Sequence, residues 1–425
     1  MFLSFRRAAI LGAGKSAAAA ARLLQRHGYE FSVYPDADSV ASVLNAPSLD
    51  LLILSPGTDP SFLPPAPRSY HVIPEVELGW LFLPPAVRDS MTAVTGTNGK
   101  STTTALISQI FETSGVSCPA LGNIGTPLSA YEGGERVVVE VSSYMLQITE
   151  AFRPHVAVFL NLSPDHLARH GTYENYAKTK RRLFLRQDAD DFAILNADDP
   201  TVRACAPVAQ TLRFGIDDPA DAFMRGGTLY FRGRKLADAN KMRISGKHNL
   251  YNALAAAAAS IAGGAPVSAV TEALYQFDGI PHRLRLIATK NGVKIYDDSK
   301  ATNCDSAITA VRALRGKIVI ILGGSDKGEN FGPLFAEFIK RGGIFAVLSG
   351  TTAGRLADAA TEAEYKDFIV AETFEDAVER AYTAAIEQSA SLLLSPACAS
   401  FDRFESFEQR GDYFIQLAQL LRGTK

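Results

Sequence analysis

Short apolar runs alternate with segments of helical periodicity along most of the chain, and this alternation limits the fold more than any other feature. Such runs are typical of strands that are buried on both faces of a sheet. Because helical segments separate them, the strands are expected to be parallel, with helices on both faces, so we predict an α/β protein. The runs that predict strands are 8–11, 31–34, 50–55, 91–94, 137–142, 156–162, 192–197, 294–299, 317–324, 345–350 and 391–396.

Two interruptions of this pattern predict domain boundaries. A chain of 425 residues is too long for one ordinary hydrophobic core. Pro84 and Pro85 precede a new strand, and Pro281 precedes a third series of strands. We predict a Rossmann-like N-terminal domain at 1–88, a central domain with a mainly parallel sheet at 89–283, and a Rossmann-like C-terminal domain at 284–425.

The composition excludes several classes of protein. Hydrophobic residues make up 47% of the chain and charged residues 21%, with a net charge of −2, as in soluble globular proteins. No Lys/Arg run resembles the basic patch of a nucleic-acid-binding protein. The N-terminal apolar run breaks at Gly12, and the alanine-rich Ala253–Ile261 is too short for a membrane span. We therefore expect neither nucleic acid nor a membrane as a partner.

The cysteines are scattered and contain no C-x-x-C pair. This spacing argues against a disulfide framework or a structural zinc site, and it suits the reducing cytoplasm, where we expect the protein to act. The four residues are Cys118, Cys205, Cys304 and Cys398.

Two glycine-rich turns with a Lys-Ser pair follow predicted strands and precede predicted helices. They are 12–16 (GAGKS) and 96–101 (GTNGKS). Both place backbone N–H groups at the start of a helix, where the helix dipole favours an anion. Neither matches the full G-x-x-x-x-G-K-[ST] pattern, because Ala9 and Val94 stand at the first glycine position.

The first turn also fits the pattern G-x-G-x-x-A of a dinucleotide-binding loop. Gly12, Gly14 and Ala17 supply that pattern, and Asp36 or Asp38 could meet a ribose about 20 residues on. A tight turn with a purely structural role is an equally good interpretation, and this stretch by itself does not decide between the turn and a dinucleotide-binding loop.

The second turn gives the stronger signal for a phosphate-binding loop. Lys100 would reach the outer phosphates of a nucleotide, and Ser101 would ligate Mg²⁺. Glu140 ends an otherwise apolar strand, where a charge is costly unless it has a partner such as a metal ion. His166 follows the next predicted strand and could be a ligand, a substrate contact or a satisfied core residue. The central domain is thus predicted to be an ATPase domain of the P-loop type.

Nine motifs, taken in order, resemble those of the Mur ligases over essentially the whole chain. Within that family they resemble the branch that adds D-glutamate to UDP-N-acetylmuramoyl-L-alanine. The DNPR-type motif of the meso-diaminopimelate-adding branch is absent, and Ser101-Thr102 stands where folylpolyglutamate synthases have Gly-Ser. The motifs are GTNGKST (96–102), GNIGTP (122–127), EVSS (140–143), NLSPDH (161–166), KHNLYN (247–252), PHR (281–283), DDSKATN (297–303), LGGSDKG (322–328) and SPACASFDRFESFEQRG (395–411).

The resemblance implies an ATP-dependent amide ligase that forms an acyl phosphate, with two Mg²⁺ sites. Lys100, Glu140, His166 and Lys180 are the implied catalytic residues. Ser101 and Glu140 would hold one metal ion, and His166 would hold the other together with a carbamylated Lys180. Lys178 competes for the carbamate, and a third alternative is that both lysines are solvated. The implied ATP-binding residues are Gly96, Thr97, Asn98, Gly99, Lys100, Ser101, Thr102, Asn249, Asn252, Arg283 and Asp298.

The same resemblance implies binding sites for the other two substrates, the UDP-linked substrate and D-glutamate. Pro35 stands where the family's ribose-binding acid is expected, which leaves Asp36 as the nearest candidate. A monomer is expected. The implied contacts of the UDP-linked substrate are Lys15, Ser16, Asp36, Gly57 and Asn123. The implied D-glutamate contacts are Lys300, Thr302, Lys327, Ser400 and Phe407.

Three other functions compete with this one. A folate-directed glutamate ligase would lack the separate N-terminal nucleotide-binding domain. A non-catalytic sugar-nucleotide-binding protein would not need the intact set of phosphate-loop, metal and lysine residues. An NAD oxidoreductase built on Gly12–Ala17 would leave the loop at 96–101 without a role. The sequence therefore favours the ligase.

Overall fold

The computed structural model describes residues 5–36, 49–64, 69–217, 219–244, 246–326 and 328–421. Its strands form three sheets that are mostly parallel, which confirms the predicted α/β class. The chain divides into two compact units, Met1–Asp278 and Gly279–Lys425. The first unit holds two of the sheets and the second unit holds one, so the three domain ranges stay a prediction. No described helix is both long and apolar enough to cross a membrane.

The first sheet has the strand order β2-β1-β3-β4, and all its pairs are parallel. Because β1 lies between β2 and β3, the turns that follow these three strands share one edge of the sheet. A Cβ atom on Gly12 would lie 2.5 Å from the Cβ of Ser55, which shows how closely two of these turns approach. The elements are β1 (Arg7–Leu11), α1 (Lys15–Arg26), β2 (Glu30–Tyr34), β3 (Leu51–Leu54), a 3-10 turn (Pro60–Phe62), β4 (His71–Pro74) and α2 (Glu75–Phe82).

The central sheet has nine strands in the order β13-β12-β11-β10-β9-β8-β5-β7-β6. Strand β5 lies between β7 and β8, so the loops after these three strands lie side by side. Its strands are β5 (Thr92–Thr95), β6 (Ala120–Gly122), β7 (Val138–Glu140), β8 (Val156–Phe159), β9 (Phe192–Asn196), β10 (Gln210–Gly215), β11 (Ala222–Arg225), β12 (Thr228–Phe231) and β13 (Arg234–Asp238).

Helices cover the central sheet on both faces. The buried, alanine-rich face of α9 packs with α4 against one apolar cluster, and small side chains permit this close packing. The helices are α3 (Pro85–Arg88), α4 (Lys100–Thr113), α5 (Ser143–Leu146), α6 (Leu167–His170), α7 (Tyr173–Arg181), α8 (Pro200–Arg203), α9 (Lys247–Ala262) and α10 (Val267–Gln276), with 3-10 turns at Leu128–Ala130, Arg182–Phe184 and Ala239–Lys241.

The second unit is built on a six-stranded sheet in the order β14-β15-β19-β16-β17-β18. Only the β14–β15 pair is antiparallel among the pairs of this sheet. The loops after β15, β19 and β16 share one edge because these strands are neighbours. The elements are β14 (Arg285–Lys290), β15 (Val293–Asp297), α11 (Cys304–Ala313), β16 (Ile318–Leu322), α12 (Gly332–Arg341), β17 (Ile344–Leu348), α13 (Ala353–Glu362), β18 (Phe368–Val370), α14 (Phe374–Glu387), β19 (Ser391–Leu394) and α15 (Phe407–Leu420).

Candidate active site

The predicted phosphate loop joins β5 to α4, and its conformation depends on glycine. Gly99 has a φ of +86° immediately before Lys100 begins the helix. A Cβ atom at Gly99 would lie only 2.2 Å from Oδ1 of Asn252. The structure therefore brings the loop together with Asn252, one of the implied ATP-binding residues, whereas Asn249, another of them, lies one turn earlier on α9.

Two lysine side chains converge on one carbonyl group of this loop. Lys100 Nζ donates to the carbonyl oxygens of Gly96 at 3.0 Å and Thr97 at 2.9 Å. Lys180 Nζ donates to the same Gly96 oxygen at 2.8 Å and to Thr95 Oγ1 at 3.4 Å. Burial, and then the nearby charge of Lys100, lower the pKa of Lys180 well below the usual lysine value.

Lys178 and Lys180 lie in different environments on α7. The Lys180 side chain is 1% exposed and stacks its ammonium group over Tyr176, 4.8 Å from the ring centroid. Lys178 is exposed to solvent. The alternative in which both lysines are solvated is therefore wrong for Lys180.

Glu140 is a buried carboxylate at the end of β7, next to the phosphate loop. Its Oε1 accepts a hydrogen bond of 2.9 Å from Nδ2 of Asn123. Its Oε2 is buried and has no hydrogen-bond partner among the described residues. A buried carboxylate oxygen is costly unless a donor or a cation meets it, so Oε2 is chemically suited to a metal ion.

His166 lies at the start of α6 in a left-handed conformation, with a φ of +53°. Its Nδ1 is 3.2 Å from the Tyr144 hydroxyl, and its Nε2 is 3.3 Å from Oδ2 of Asp165. The ring is half exposed. A ring held at Nδ1 by a hydroxyl group can present Nε2 to a ligand, which is how proteins orient metal-binding histidines.

The described part of the chain contains no group of three His, Cys, Asp or Glu side chains that could hold a metal ion. A metal site near Glu140 and His166 thus needs oxygen donors of other kinds, such as the Ser101 hydroxyl, a modified lysine or phosphate oxygens. Ser101 is buried in the first turn of α4.

Four of the five predicted contacts of the UDP-linked substrate gather at one edge of the first sheet, whereas Asn123 follows β6 of the central sheet and bonds to Glu140. Lys15 and Ser16 begin α1, Gly57 lies in the turn after β3, and Asp36 follows β2. All but Ser16, which is partly buried, are exposed. Asp38, the alternative acid, lies outside the described residues.

Arg169 links this edge to the central sheet. Its Nη2 donates to the Thr58 carbonyl at 2.6 Å, and its Nε donates to Oε1 of Gln147 at 3.0 Å. The guanidinium group also lies 5.0 Å from the centroid of the Tyr144 ring, and Tyr144 is the side chain that contacts His166. The turn containing Gly57 is thereby connected to the histidine loop.

In the second unit, the predicted D-glutamate contacts lie on the loops after β15 and β19 and at the start of α15. Lys300 Nζ is 5.7 Å from the centroid of the Phe407 ring. Thr302 is two residues beyond Lys300, and its N–H donates to the Lys300 carbonyl. Ser400 is 1% exposed. Lys327 lies outside the described residues.

The predicted nucleotide contacts of this unit are Arg283 and Asp298. Arg283 is exposed. Asp298 is buried, and its two oxygens accept hydrogen bonds from Ser395 Oγ at 2.6 Å and Leu284 N at 3.0 Å. Burial raises the pKa of Asp298 to about 7 despite these bonds.

Arg410 holds the two loops of the amino-acid site together. It is 2% exposed and donates from Nε and Nη2 to the hydroxyl and carbonyl oxygens of Ser299, at 2.9 and 2.8 Å. Its Nη1 donates to the carbonyls of Cys398 and Ala399, at 3.1 and 3.2 Å. Burial lowers its pKa to about 10, so it stays charged at neutral pH. The neighbours of Lys300 and Ser400 are thus fixed by one side chain.

Replacing Arg410 by methionine is expected to destabilise α15 and the two loops by about 3 kcal/mol, because three buried carbonyl groups each lose a hydrogen bond from a charged donor. Hydrogen exchange of the amides in 407–420 measures this change as a free energy of opening. Arg380→Met is the matched control, since Arg380 pairs with Asp376 on the exposed side of α14 and should cost under about 0.5 kcal/mol. Equal protection in the two variants would contradict the expected role.

Four side chains at these sites were assigned no role from the sequence: Tyr144, Asn161, Arg169 and Arg410. Each acts through hydrogen bonds to backbone groups or to another functional side chain, and motif spacing does not reveal such contacts. Arg410 carried one usable signal, because it lies three residues after Phe407 and four before Phe414 on the buried face of α15.

Comparison with known proteins identifies the family to which this chain is similar. Two family models match the chain, the Mur ligase middle domain over residues 94–260 and the Mur ligase glutamate ligase domain over residues 282–398. UDP-N-acetylmuramoylalanine–D-glutamate ligases of Pelotomaculum thermopropionicum and Koribacter versatilis are 37% and 36% identical, over 97% of this chain and 97% of theirs. The same-named protein of Caldanaerobacter subterraneus is 38% identical over 88% of this chain and 85% of its own.

Solved structures share the fold at lower identity. MurC of Thermotoga maritima, a UDP-N-acetylmuramate–alanine ligase, has a TM-score of 0.57 at 17% identity, covering 97% of this chain and 99% of that one. A pseudomurein peptide ligase type C from Methanothermus fervidus has a TM-score of 0.56 at 17% identity, covering 98% and 100%. At this identity the likeness concerns the fold alone.

Proposed function

The chain belongs to the Mur ligase family, and we propose on that premise that it joins D-glutamate to UDP-N-acetylmuramoyl-L-alanine in peptidoglycan synthesis. The observation that carries this function is the match to D-glutamate ligases over 97% of both chains, which includes all three sheets. ATP is the energy source, and its products are ADP and phosphate.

The reaction is proposed to take two steps. The carboxylate of the alanyl group attacks the γ-phosphorus of ATP, forming an acyl phosphate and releasing ADP. The amine nitrogen of D-glutamate then attacks the acyl carbon, loses a proton and expels phosphate as the C–O bond breaks. Because phosphate is a good leaving group, the protein mainly has to position the reactants and neutralise their charge.

Lys100 and the loop before it are proposed to bind the outer phosphates of ATP. The Lys100 ammonium is already held against the loop by the Gly96 and Thr97 carbonyls. Backbone N–H groups at the start of α4 favour an anion there. The contact between Gly99 and Asn252 supports adenine binding by α9 beside the same loop. The remaining ATP contacts that we propose are Asn98, Ser101, Thr102, Asn249, Arg283 and Asp298.

Mg²⁺ fits the residues beside this loop. Ser101 and Glu140 would hold one ion, because Oε2 of Glu140 is buried and has no hydrogen-bond partner among the residues that the structure describes. His166 and a carbamylated Lys180 would hold the other. Bound Mg²⁺ neutralises the negative charge that develops on the transferred phosphoryl group.

We assign the carbamate to Lys180 and not to Lys178. A carbamate forms when an uncharged amine attacks CO2 and releases a proton, so it requires a lysine that is shielded from water. Lys180 is 1% exposed, whereas Lys178 is exposed. A carbamate at Lys180 would also supply an anionic oxygen ligand, which matters because the described residues contain no group of three His, Cys, Asp or Glu side chains that could hold a metal ion.

The substrate sites at the two ends of the chain remain part of this proposal. Lys15, Ser16, Asp36, Gly57 and Asn123 are proposed to hold the UDP-linked substrate. Lys300, Thr302, Lys327, Ser400 and Phe407 are proposed to hold D-glutamate, with ammonium groups facing a dicarboxylate. We further propose three domains and action as a monomer in the cytoplasm; the described cysteines are free and buried, as a reducing compartment would allow.

Phosphate release with ATP, Mg²⁺ and UDP-N-acetylmuramoyl-L-alanine tests the proposed function. We expect release that depends on D-glutamate and that L-glutamate, L-lysine and meso-diaminopimelate do not support, since the amine must attack from one fixed orientation. Release that is indifferent to D-glutamate would refute the assignment. Release with L-glutamate and a folate acceptor would indicate the folate-directed alternative.

A further inference from the structure

The loop after β8 is bonded to the phosphate loop by the side chain of one residue, Asn161. Its Oδ1 accepts a hydrogen bond from Asn98 N at 2.9 Å, and its Nδ2 donates to the Asn98 carbonyl at 3.0 Å. Both backbone groups of Asn98 are therefore paired with one amide side chain. We infer that Asn161 is a positioning residue that sets the conformation of the phosphate loop for the nucleotide.

These bonds extend the pairing of two parallel strands beyond the ends of both. Leu160 N donates to the Thr95 carbonyl at 3.0 Å, and Thr97 N donates to the Asn161 carbonyl at 3.0 Å. At Asn98 the chain turns towards α4, and a side-chain amide, which carries a donor and an acceptor, replaces the backbone partner. Asn98 itself is exposed, so burial does not fix its conformation.

A second contact ties the same loops together. Ser163 N donates to Thr97 Oγ1 at 3.1 Å. The loop from Asn161 continues to His166, so the phosphate loop and the histidine loop form one bonded assembly. Loss of the Asn161 amide is expected to leave the peptide groups of Asn98 free to rotate. The bound nucleotide would then have to order them, which lowers its affinity.

Asp199 provides a control, because it bonds to the same loop after β8 that contains Asn161. Its Oδ2 accepts a hydrogen bond from Leu162 N at 2.7 Å, and its Oδ1 caps α8, so it holds the loop without contacting the phosphate loop. If Asn161 only kept its own loop ordered, then loss of Asp199 would weaken nucleotide binding as much as loss of Asn161 does. If Asn161 positions Asn98, then loss of the Asn161 side chain weakens nucleotide binding and loss of the Asp199 side chain does not.

The test compares Asn161→Ala, Asn161→Asp and Asp199→Ala in the full chain, using calorimetric titration with Mg²⁺·ADP, the KM values of both nucleotide substrates, and Tm. Loss of two hydrogen bonds should weaken ADP binding about 30-fold in Asn161→Ala. The KM for the UDP-linked substrate should change by less than about twofold. Asn161→Asp should bind ADP at least as weakly as Asn161→Ala, because its carboxylate repels the Asn98 carbonyl. Asp199→Ala should lower Tm but keep the ADP affinity.

Two results would overturn the inference. One is wild-type ADP affinity in Asn161→Ala, and the other is an equal loss of affinity in Asn161→Ala and Asp199→Ala. The inference rests on the proposed ATP-dependent function, and the wild-type titration separates the two: a wild-type chain that does not bind Mg²⁺·ADP refutes the function itself, whereas normal wild-type binding with an unaffected variant refutes only the role of Asn161.

Discussion

Lys180→Ala is expected to lower the rate of D-glutamate-dependent phosphate release by about 10²–10³-fold, while Lys178→Ala leaves it within about twofold. The two lysines differ in what surrounds them. Lys180 is buried against Tyr176, and its Nζ contacts the Gly96 carbonyl, whereas Lys178 is exposed. Only Lys180 lies where a carbamate would be beside the proposed phosphate-binding loop.

The carbamate itself gives a readout that does not depend on turnover. Protein equilibrated with ¹³C-labelled bicarbonate should show one carbamate carbonyl resonance in the wild type and in Lys178→Ala, and none in Lys180→Ala. Bicarbonate should not restore Lys180→Ala, because the amine that would react with CO2 has been removed. Full activity in Lys180→Ala together with loss in Lys178→Ala would show that the carbamate lies on the other lysine.

The choice between these lysines could have been made from helical periodicity. Tyr176, Lys180, Leu183 and Phe184 follow the spacing of one helix face, and all four are buried. Lys178 lies off that face. The same spacing places Arg410 between Phe407 and Phe414 on α15. A charged residue on an otherwise apolar face is expensive, so its position alone indicates a bound partner.

The predicted strands were found because buried parallel strands are apolar on both faces. Every predicted run overlaps a strand of the structure within a few residues. The segment Gln210–Asp238, which forms β10 to β13, was not predicted, because each of these strands mixes buried side chains with exposed or partly exposed ones and so does not form an apolar run. Its turns did carry a signal. Both residues of Gly226-Gly227 and of Arg232-Gly233 have positive φ, as two-residue hairpin turns of type I′ require.

The neighbours of the phosphate loop could be predicted only in part. Strand order cannot be read from apolar runs, yet it is the order β8-β5-β7 that brings Glu140 and Asn161 to the two sides of the loop. The end of β7 could be identified because Glu140 is a charge closing an apolar run. Asn161 gave no such signal, since a polar residue after a strand is common in any turn.

Glu140→Gln is expected to lower activity by about 10²–10³-fold while leaving the fold intact or stabilising it in metal-free buffer. Glutamine has nearly the same shape, and its side-chain oxygen can still accept the hydrogen bond from Asn123. What disappears is the negative charge on a buried side chain whose Oε2 has no partner among the described residues. That charge is costly to bury, and it is useful only if a cation meets it.

Thermal unfolding with and without Mg²⁺·ADP separates the two consequences of Glu140→Gln. Mg²⁺·ADP should raise the Tm of the wild type markedly, and it should raise that of Glu140→Gln much less, because part of the metal-dependent binding is lost. Asn123→Ala is the matched control: it removes the partner of Oε1 but keeps the charge, so it should retain most of the Mg²⁺-dependent shift. A Glu140→Gln variant that is destabilised without metal, yet shows the full wild-type shift with Mg²⁺·ADP, would mean that Glu140 supports the strand end and does not bind the ion. The expected pattern, a more stable but inactive protein, would show instead that the buried charge is kept at a cost to folding because the phosphoryl-transfer site needs it.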